Sequence, residues 1–114
     1  MARILLVDDS PSQLLGLKRL VEKMGHETLT AEDGAAGVEA TRREKPDLVL
    51  MDVVMPNLNG FQATRSITRE PTTKHIPVIL VTTKDQDTDR VWGMRQGAKA
   101  YLAKPFGEDE LAAL

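Results

Sequence analysis

Residues Leu48–Pro56 read LVLMDVVMP, an apolar run with one acid, Asp52, in its middle. A continuous apolar run of this length reads as a strand buried on both faces, the pattern of a parallel sheet covered by helices. An ionised carboxylate at the end of such a strand is costly unless something pairs with it. The reading of this stretch therefore sets two questions, which sheet surrounds it and what the acid is for.

Working outward, Ile4–Val7, Val78–Val81 and a shorter AYLA from Ala100 are further strand-length runs, and ETLTA from Glu27 is a fifth, more polar candidate. Amphipathic segments lie between them. In PSQLLGLKRLVEKMG, Leu14, Leu17, Val21 and Met24 recur at three- and four-residue steps along one helical face. Ser10 suits the N-cap, Pro11 the first helical position and Gly25 the C-terminal stop. Further helices are expected from Gly34 to Arg43 with Asp33 as cap, and from Gly60 to Arg69, stopping before Pro71. A fourth is expected from Asp87 to Gln96, closed by Gly97, and a short fifth opens near Gly107. Five strands alternating with five helices predict an α/β fold, a doubly wound five-stranded parallel sheet with helices on both faces. The polar second strand belongs at an edge.

The 114 residues fit one domain, 1–114, large enough for a core without staples. There is no cysteine, which excludes disulfides, zinc–thiolate sites and thiol chemistry and fits a reducing, cytoplasmic setting. The opening MARILLVDD reaches acids too soon for a signal peptide, and no stretch approaches the roughly 20 apolar residues of a membrane span. Net charge is −2 and the basic residues are scattered without interleaved aromatics, so neither nucleic-acid binding nor membrane insertion is expected.

In doubly wound sheets, ligands bind beyond the carboxyl ends of the strands. Asp8 and Asp9 follow the first strand, Asp52 the third, Thr82 and Thr83 the fourth, and Lys104 and Pro105 the fifth. If those strands are neighbours, these residues share one pocket. Three carboxylates within about 5 Å repel by roughly 3 kcal/mol per ionised pair at an effective dielectric of 20. A hard divalent cation relieves this, and Mg2+ suits oxygens from one or two carboxylates plus water. Asp9 and Asp52 are the candidate direct ligands, Asp8 acts through water, and the backbone carbonyl of Val54 supplies another oxygen. Lys104 and Thr82 then match an incoming phosphoryl group, the ammonium neutralising its oxygens and the hydroxyl bonding one of them. A carboxylate can itself be the attacking group, and Asp52, at the strand tip, is best placed to become an aspartyl-phosphate.

The motifs VDD (Val7–Asp9), LMDVVMPNLNG (Leu50–Gly60), VTT (Val81–Thr83) and YLAKPF (Tyr101–Phe106), in this order, resemble those of bacterial response-regulator receiver domains, the CheY-like (flavodoxin-like) family. The resemblance covers all 114 residues. It implies a phosphoacceptor switch rather than an enzyme acting on a separate substrate. Asp8 and Asp9 match the family's acidic pair, Asp52 its phosphoacceptor, Thr82 its switch hydroxyl and Lys104 the phosphoryl ion-pair partner. The resemblance also implies a cis peptide between Lys104 and Pro105, and a switch role for Tyr101, the aromatic that swings inward as Thr82 moves. More narrowly, MPNLNGFQATR, VTTKDQDTDRVWGMRQGA and YLAKPF are similar to PilH-type regulators of type IV pilus twitching motility. Such a protein is expected to be a monomer that takes phosphate from a CheA-type histidine kinase. Its output would be either a downstream protein target meeting the face made by the fourth helix, fifth strand and fifth helix, or the draining of phosphate from a shared kinase.

Two positions depart from the better-known chemotaxis receivers. Val54 and Lys84 stand where family members place the attacking water, so they are expected to tune phosphoryl lifetime and to slow self-dephosphorylation. The last helix, GEDELAAL, is shorter than is usual for receivers and is expected to be truncated. The rival readings are a receiver module excised from a larger hybrid kinase or transcriptional regulator, and a hydrolase of small phosphoesters using an aspartyl-phosphate. Against the hydrolase stands Val54, where such enzymes put a second acid. Trp92 reads equally as core packing or as a partner contact, since Val91 and Met94 plus the small Gly93 already offer a packing face. The five methionines read as core filler and His26 and His75 as turn residues.

Overall fold

The computed structural model describes residues 2–84 and 86–114. Met1 and Asp85, parts of the MARILLVDD and KDQDTDR stretches, lie outside the described residues. The elements run β1 (Arg3–Val7), α1 (Pro11–Lys23), β2 (Glu27–Ala31), α2 (Gly34–Glu44), β3 (Leu48–Met51), α3 (Gly60–Arg69), β4 (Val78–Thr82), α4 (Asp87–Arg95), β5 (Ala100–Ala103) and α5 (Glu108–Ala112). All strand pairs are parallel, in the order β2-β1-β3-β4-β5. The polar strand β2 is at an edge, as its sequence predicts.

Side chains alternate across the sheet, so each central strand feeds two cores. Leu5, Val7, Val49, Met51, Val78 and Leu80 face one cluster, which also contains Val38 of α2 and Ala63 and Ile67 of α3. Ile4, Leu6, Leu50, Ile79 and Val81 face the other, with Leu17 and Val21 of α1 and Leu111 of α5. This is why β1, β3 and β4 read as unbroken apolar runs: neither face is available to water.

Helix ends follow their caps. The Ser10 side chain accepts from Gln13 N, with Pro11 opening α1, and Asp33 Oδ1 accepts from Ala36 N at 2.7 Å. Asn59 and Gln62 form a reciprocal capping box at α3. α2 runs one residue past the expected end because Lys45 adopts a left-handed cap, φ 47°, while its ammonium donates to Thr72 O at 2.9 Å.

α4 packs differently from the expectation. Val91 and Met94 are not its packing face: they are 53% and 46% exposed, and Trp92 is 50% exposed. Of the expected face only Gly93 approaches the sheet, where a Cβ would come within 2.7 Å of Leu80 Cδ1 and 3.0 Å of Tyr101 Cδ2. The absence of a side chain lets the backbone itself make the contact. Likewise, Met51 and Met55 fill the core but Met94 does not.

Candidate functional site

The ladder brings the acids together. Val7 pairs with Met51 at the ends of β1 and β3, so the next residues, Asp8 and Asp52, stand side by side, and Asp52 N donates to Val7 O at 2.9 Å. Thr82 pairs with Ala103, placing Lys104 beyond the sheet, its N–H donating to Thr82 O at 2.8 Å. Neighbouring strands in this order converge at their carboxyl ends, which sequence reasoning could state only conditionally.

Asp8 and Asp52 are 2% and 8% exposed, and Asp9 is exposed. One carboxylate oxygen from each lies within 4.8 Å of the others. Asp8 is held at both oxygens: Oδ1 accepts from Ser10 N at 2.9 Å and Oδ2 from Lys104 Nζ at 3.0 Å. Asp52 Oδ1 accepts from Val53 N at 2.9 Å and lies 3.8 Å from Lys104 Nζ. Burial pushes the Asp52 carboxyl up; the Lys104 ammonium pulls it down less strongly, and Asp8 and Asp9 add repulsion, leaving it at about 6. One cation does not balance three converging acids, and an oxygen-lined concavity with excess negative charge fits a hard divalent ion such as Mg2+.

The remaining residues surround this pocket. Thr82 is fully buried and its Oγ1 accepts from Lys84 N at 3.1 Å. Tyr101, 8% exposed, donates its hydroxyl to Lys84 O at 2.6 Å, and Arg90 lies 5.3 Å from its ring centroid. Both hydroxyls thus grip the backbone of Lys84, whose ammonium faces Asp89 of α4 at 3.7 Å. The sequence reading considered only the Lys84 side chain, since backbone contacts leave no trace in residue type. Val54 is 60% exposed two residues beyond Asp52, and the Lys104–Pro105 peptide is cis.

Sequence reasoning missed Gln13. Its Oε1 accepts from Lys104 Nζ at 2.6 Å, the shortest contact of that ammonium. The available signal was its place in the first turn of the helix that follows the Asp8–Asp9 pair. Beside Gln13 and Lys104 opens a groove of about 460 Å³, walled by Gly16, Leu17, Leu20, Pro105 and Phe106.

Comparison with known proteins places this geometry. Residues 4–114 match the family model described as the response regulator receiver domain. The chain is 61% identical to Protein PilH of Pseudomonas aeruginosa over 111 residues, 97% of this chain and 92% of that one. Seven other curated relatives are longer, and the chain spans 12% to 48% of their lengths. Among solved structures, the chemotaxis protein CheY4 of Vibrio cholerae is 29% identical with a TM-score of 0.90, covering 99% of this chain and 94% of that one. The receiver domain of a sensor histidine kinase from Pseudomonas aeruginosa, with a magnesium ion coordinated in its active site cleft, is 32% identical with a TM-score of 0.90, covering 98% and 92%.

Proposed function

The chain belongs to the response regulator receiver domain family, and from that premise we propose that it is a phosphorylation switch in which Asp52 accepts a phosphoryl group from a CheA-type histidine kinase. The observation that carries the reading is the juxtaposition of three carboxylates within 4.8 Å and one ammonium within 3.8 Å of Asp52. An Asp52 carboxylate oxygen attacks phosphorus while the kinase imidazole leaves. Asp9, Asp52 and the Val54 carbonyl would hold Mg2+, with Asp8 acting through water. The ion's charge offsets the negative charge of the phosphoryl oxygens. Lys104 pairs with the phosphoryl group, and Thr82 bonds it after exchanging its present donor, Lys84 N.

That exchange would release the N–H of Lys84, the residue whose carbonyl accepts from Tyr101, and so bias the surface formed by α4, β5 and α5. The exposed Val91 and Trp92 on α4 support this face as the contact for a downstream protein. Likeness to PilH supports a role in type IV pilus twitching motility, and a monomer in the cytoplasm is the setting we favour. Among the described residues no helix is long and apolar enough to cross a membrane. Val54 offers no hydrogen bond to a hydrolytic water and Lys84 is turned to Asp89, which supports a long-lived aspartyl-phosphate.

Intact mass after incubation with acetyl phosphate tests the reading. The expected result is a gain of one phosphoryl group that requires both Mg2+ and Asp52, and is absent in Asp52→Asn. No gain from either acetyl phosphate or a phosphorylated CheA-type kinase would overturn it. In the same assay the phosphoryl mass should decay faster in Val54→Asn and Lys84→Glu than in the parent.

A further inference from the structure

We propose that Gln13 is a positioning residue for Lys104: its amide oxygen holds the lysine ammonium at the α1 edge of the acid pocket, and so sets how strongly that cation competes with a divalent metal for Asp8 and Asp52. The inference rests on the reading of the pocket as a metal and phosphoryl site.

Lys104 Nζ has three hydrogens and finds Gln13 Oε1 at 2.6 Å, Asp8 Oδ2 at 3.0 Å and Asp52 Oδ1 at 3.8 Å. An ammonium can only donate, so the atom of Gln13 that meets it must be the oxygen. Two of these three partners are carboxylates of the acid pocket, Asp8 a hydrogen-bond acceptor and Asp52 an ion-pair contact beyond hydrogen-bond reach. Gln13 is the third, and it is neutral. It can draw the ammonium away from Asp52 without adding charge to a pocket that already holds three acids.

The two partners sit on firm supports. Gln13 lies in the first turn of α1, behind Pro11, with its own N–H against the Ser10 hydroxyl. Lys104 is anchored by its N–H to Thr82 O. The contact therefore ties α1 to the end of β5 across the mouth of the pocket. When a divalent ion is held by Asp9 and Asp52, with Asp8 engaged through its water, its charge repels the ammonium, and Gln13 is the neutral acceptor left to keep Lys104 aimed inward.

Removal of the amide has a defined consequence. In Gln13→Leu the ammonium is free to settle on Asp8 and Asp52, where it competes more strongly with the metal. Gln13→Glu acts in the opposite direction, drawing the ammonium outward and adding a negative charge. Position 13 is exposed and leucine is a good helix former, so the fold is retained.

Calorimetric titration with Mg2+ tests this on the parent, Gln13→Leu and Gln13→Glu, each also combined with Lys104→Met. Gln13→Leu should weaken Mg2+ binding roughly threefold to tenfold, and Gln13→Glu should tighten it. In the Lys104→Met background the leucine substitution should change affinity by less than about twofold, because a residue that acts through Lys104 has nothing left to act on. An unchanged affinity in Gln13→Leu, or an equal loss with and without Lys104, would overturn the proposal. The phosphoryl reading fails separately: a parent that binds Mg2+ yet gains no phosphoryl mass sinks that reading, while the titration cycle still measures the coupling of Gln13 to Lys104.

Discussion

Two carboxylates of this protein meet a cation, with opposite results. On the rim between α2 and α3, Glu70 accepts from Arg42 Nε at 2.7 Å, and the guanidinium holds its carboxyl below the usual range. At the strand tips, Asp52 lies 3.8 Å from Lys104, yet its carboxyl is pushed up to about 6. The difference is water. Glu70 loses only part of its hydration, and the Arg42 hydrogen bond outweighs that loss. Asp52 has lost hydration, shares its cation with Asp8 and faces Asp9 as well. Surface pairing contributes little either way, whereas burial of an acid against other acids stores unfavourable energy that a metal or a phosphoryl group can release.

The largest expected effect comes from the backbone beneath the buried acid. A Cβ on Gly60 would fall 2.0 Å from Asp52 O. Gly60→Ala should therefore displace the strand tip and cost at least about 2 kcal/mol in urea unfolding. A cost near zero would mean that the support of Asp52 is soft and the pocket not preorganised.

Next in size is Asp52→Asn. In metal-free buffer at neutral pH it should raise stability by about 2 kcal/mol, the shift from 3.8 to about 6 setting a ceiling near 3 kcal/mol. The sign follows from linkage. The folded state holds the Asp52 proton more tightly than the unfolded chain, so stability is fully present below about pH 4 and is lost as pH rises through about 6. The advantage of the asparagine variant should accordingly grow between those values. Saturating Mg2+ should stabilise the parent and close the gap. An advantage that does not vary with pH would show that the acid is not strained.

Smallest is the rim. Glu70→Gln should leave the urea midpoint within experimental error at moderate salt, since an exposed ion pair is screened and costs side-chain freedom. A loss as large as the Asp52→Asn gain would break the contrast between the two regions.

Much of the architecture was legible because its causes are local. Apolar runs at Leu48–Met51 and Val78–Val81, and caps at Ser10 and Asp33, carry strand and helix signals within a few residues. The acids and Lys104 were legible as well, because a charge at the end of an apolar run is conspicuous against the cost of burying it. Val91 and Met94 misled for the converse reason. Apolar residues on a short helix look like a packing face, and although Gly93 was counted in that face, nothing local reveals that it alone rests on the sheet, against Leu80 and Tyr101.

The sequence by itself therefore determined the order of elements, the doubly wound class and which strand ends carry charge. Tertiary structure alone decided which charges meet. Strand order put Asp8 beside Asp52, the α1 crossover delivered Gln13 to Lys104, and the loop after β4 set the Lys84 backbone between Thr82 and Tyr101. The physical reason is range. Periodicity and capping act over one or two turns of chain, whereas electrostatic and hydrogen-bond partners are chosen by distance in space, across separations such as the 91 residues between Gln13 and Lys104.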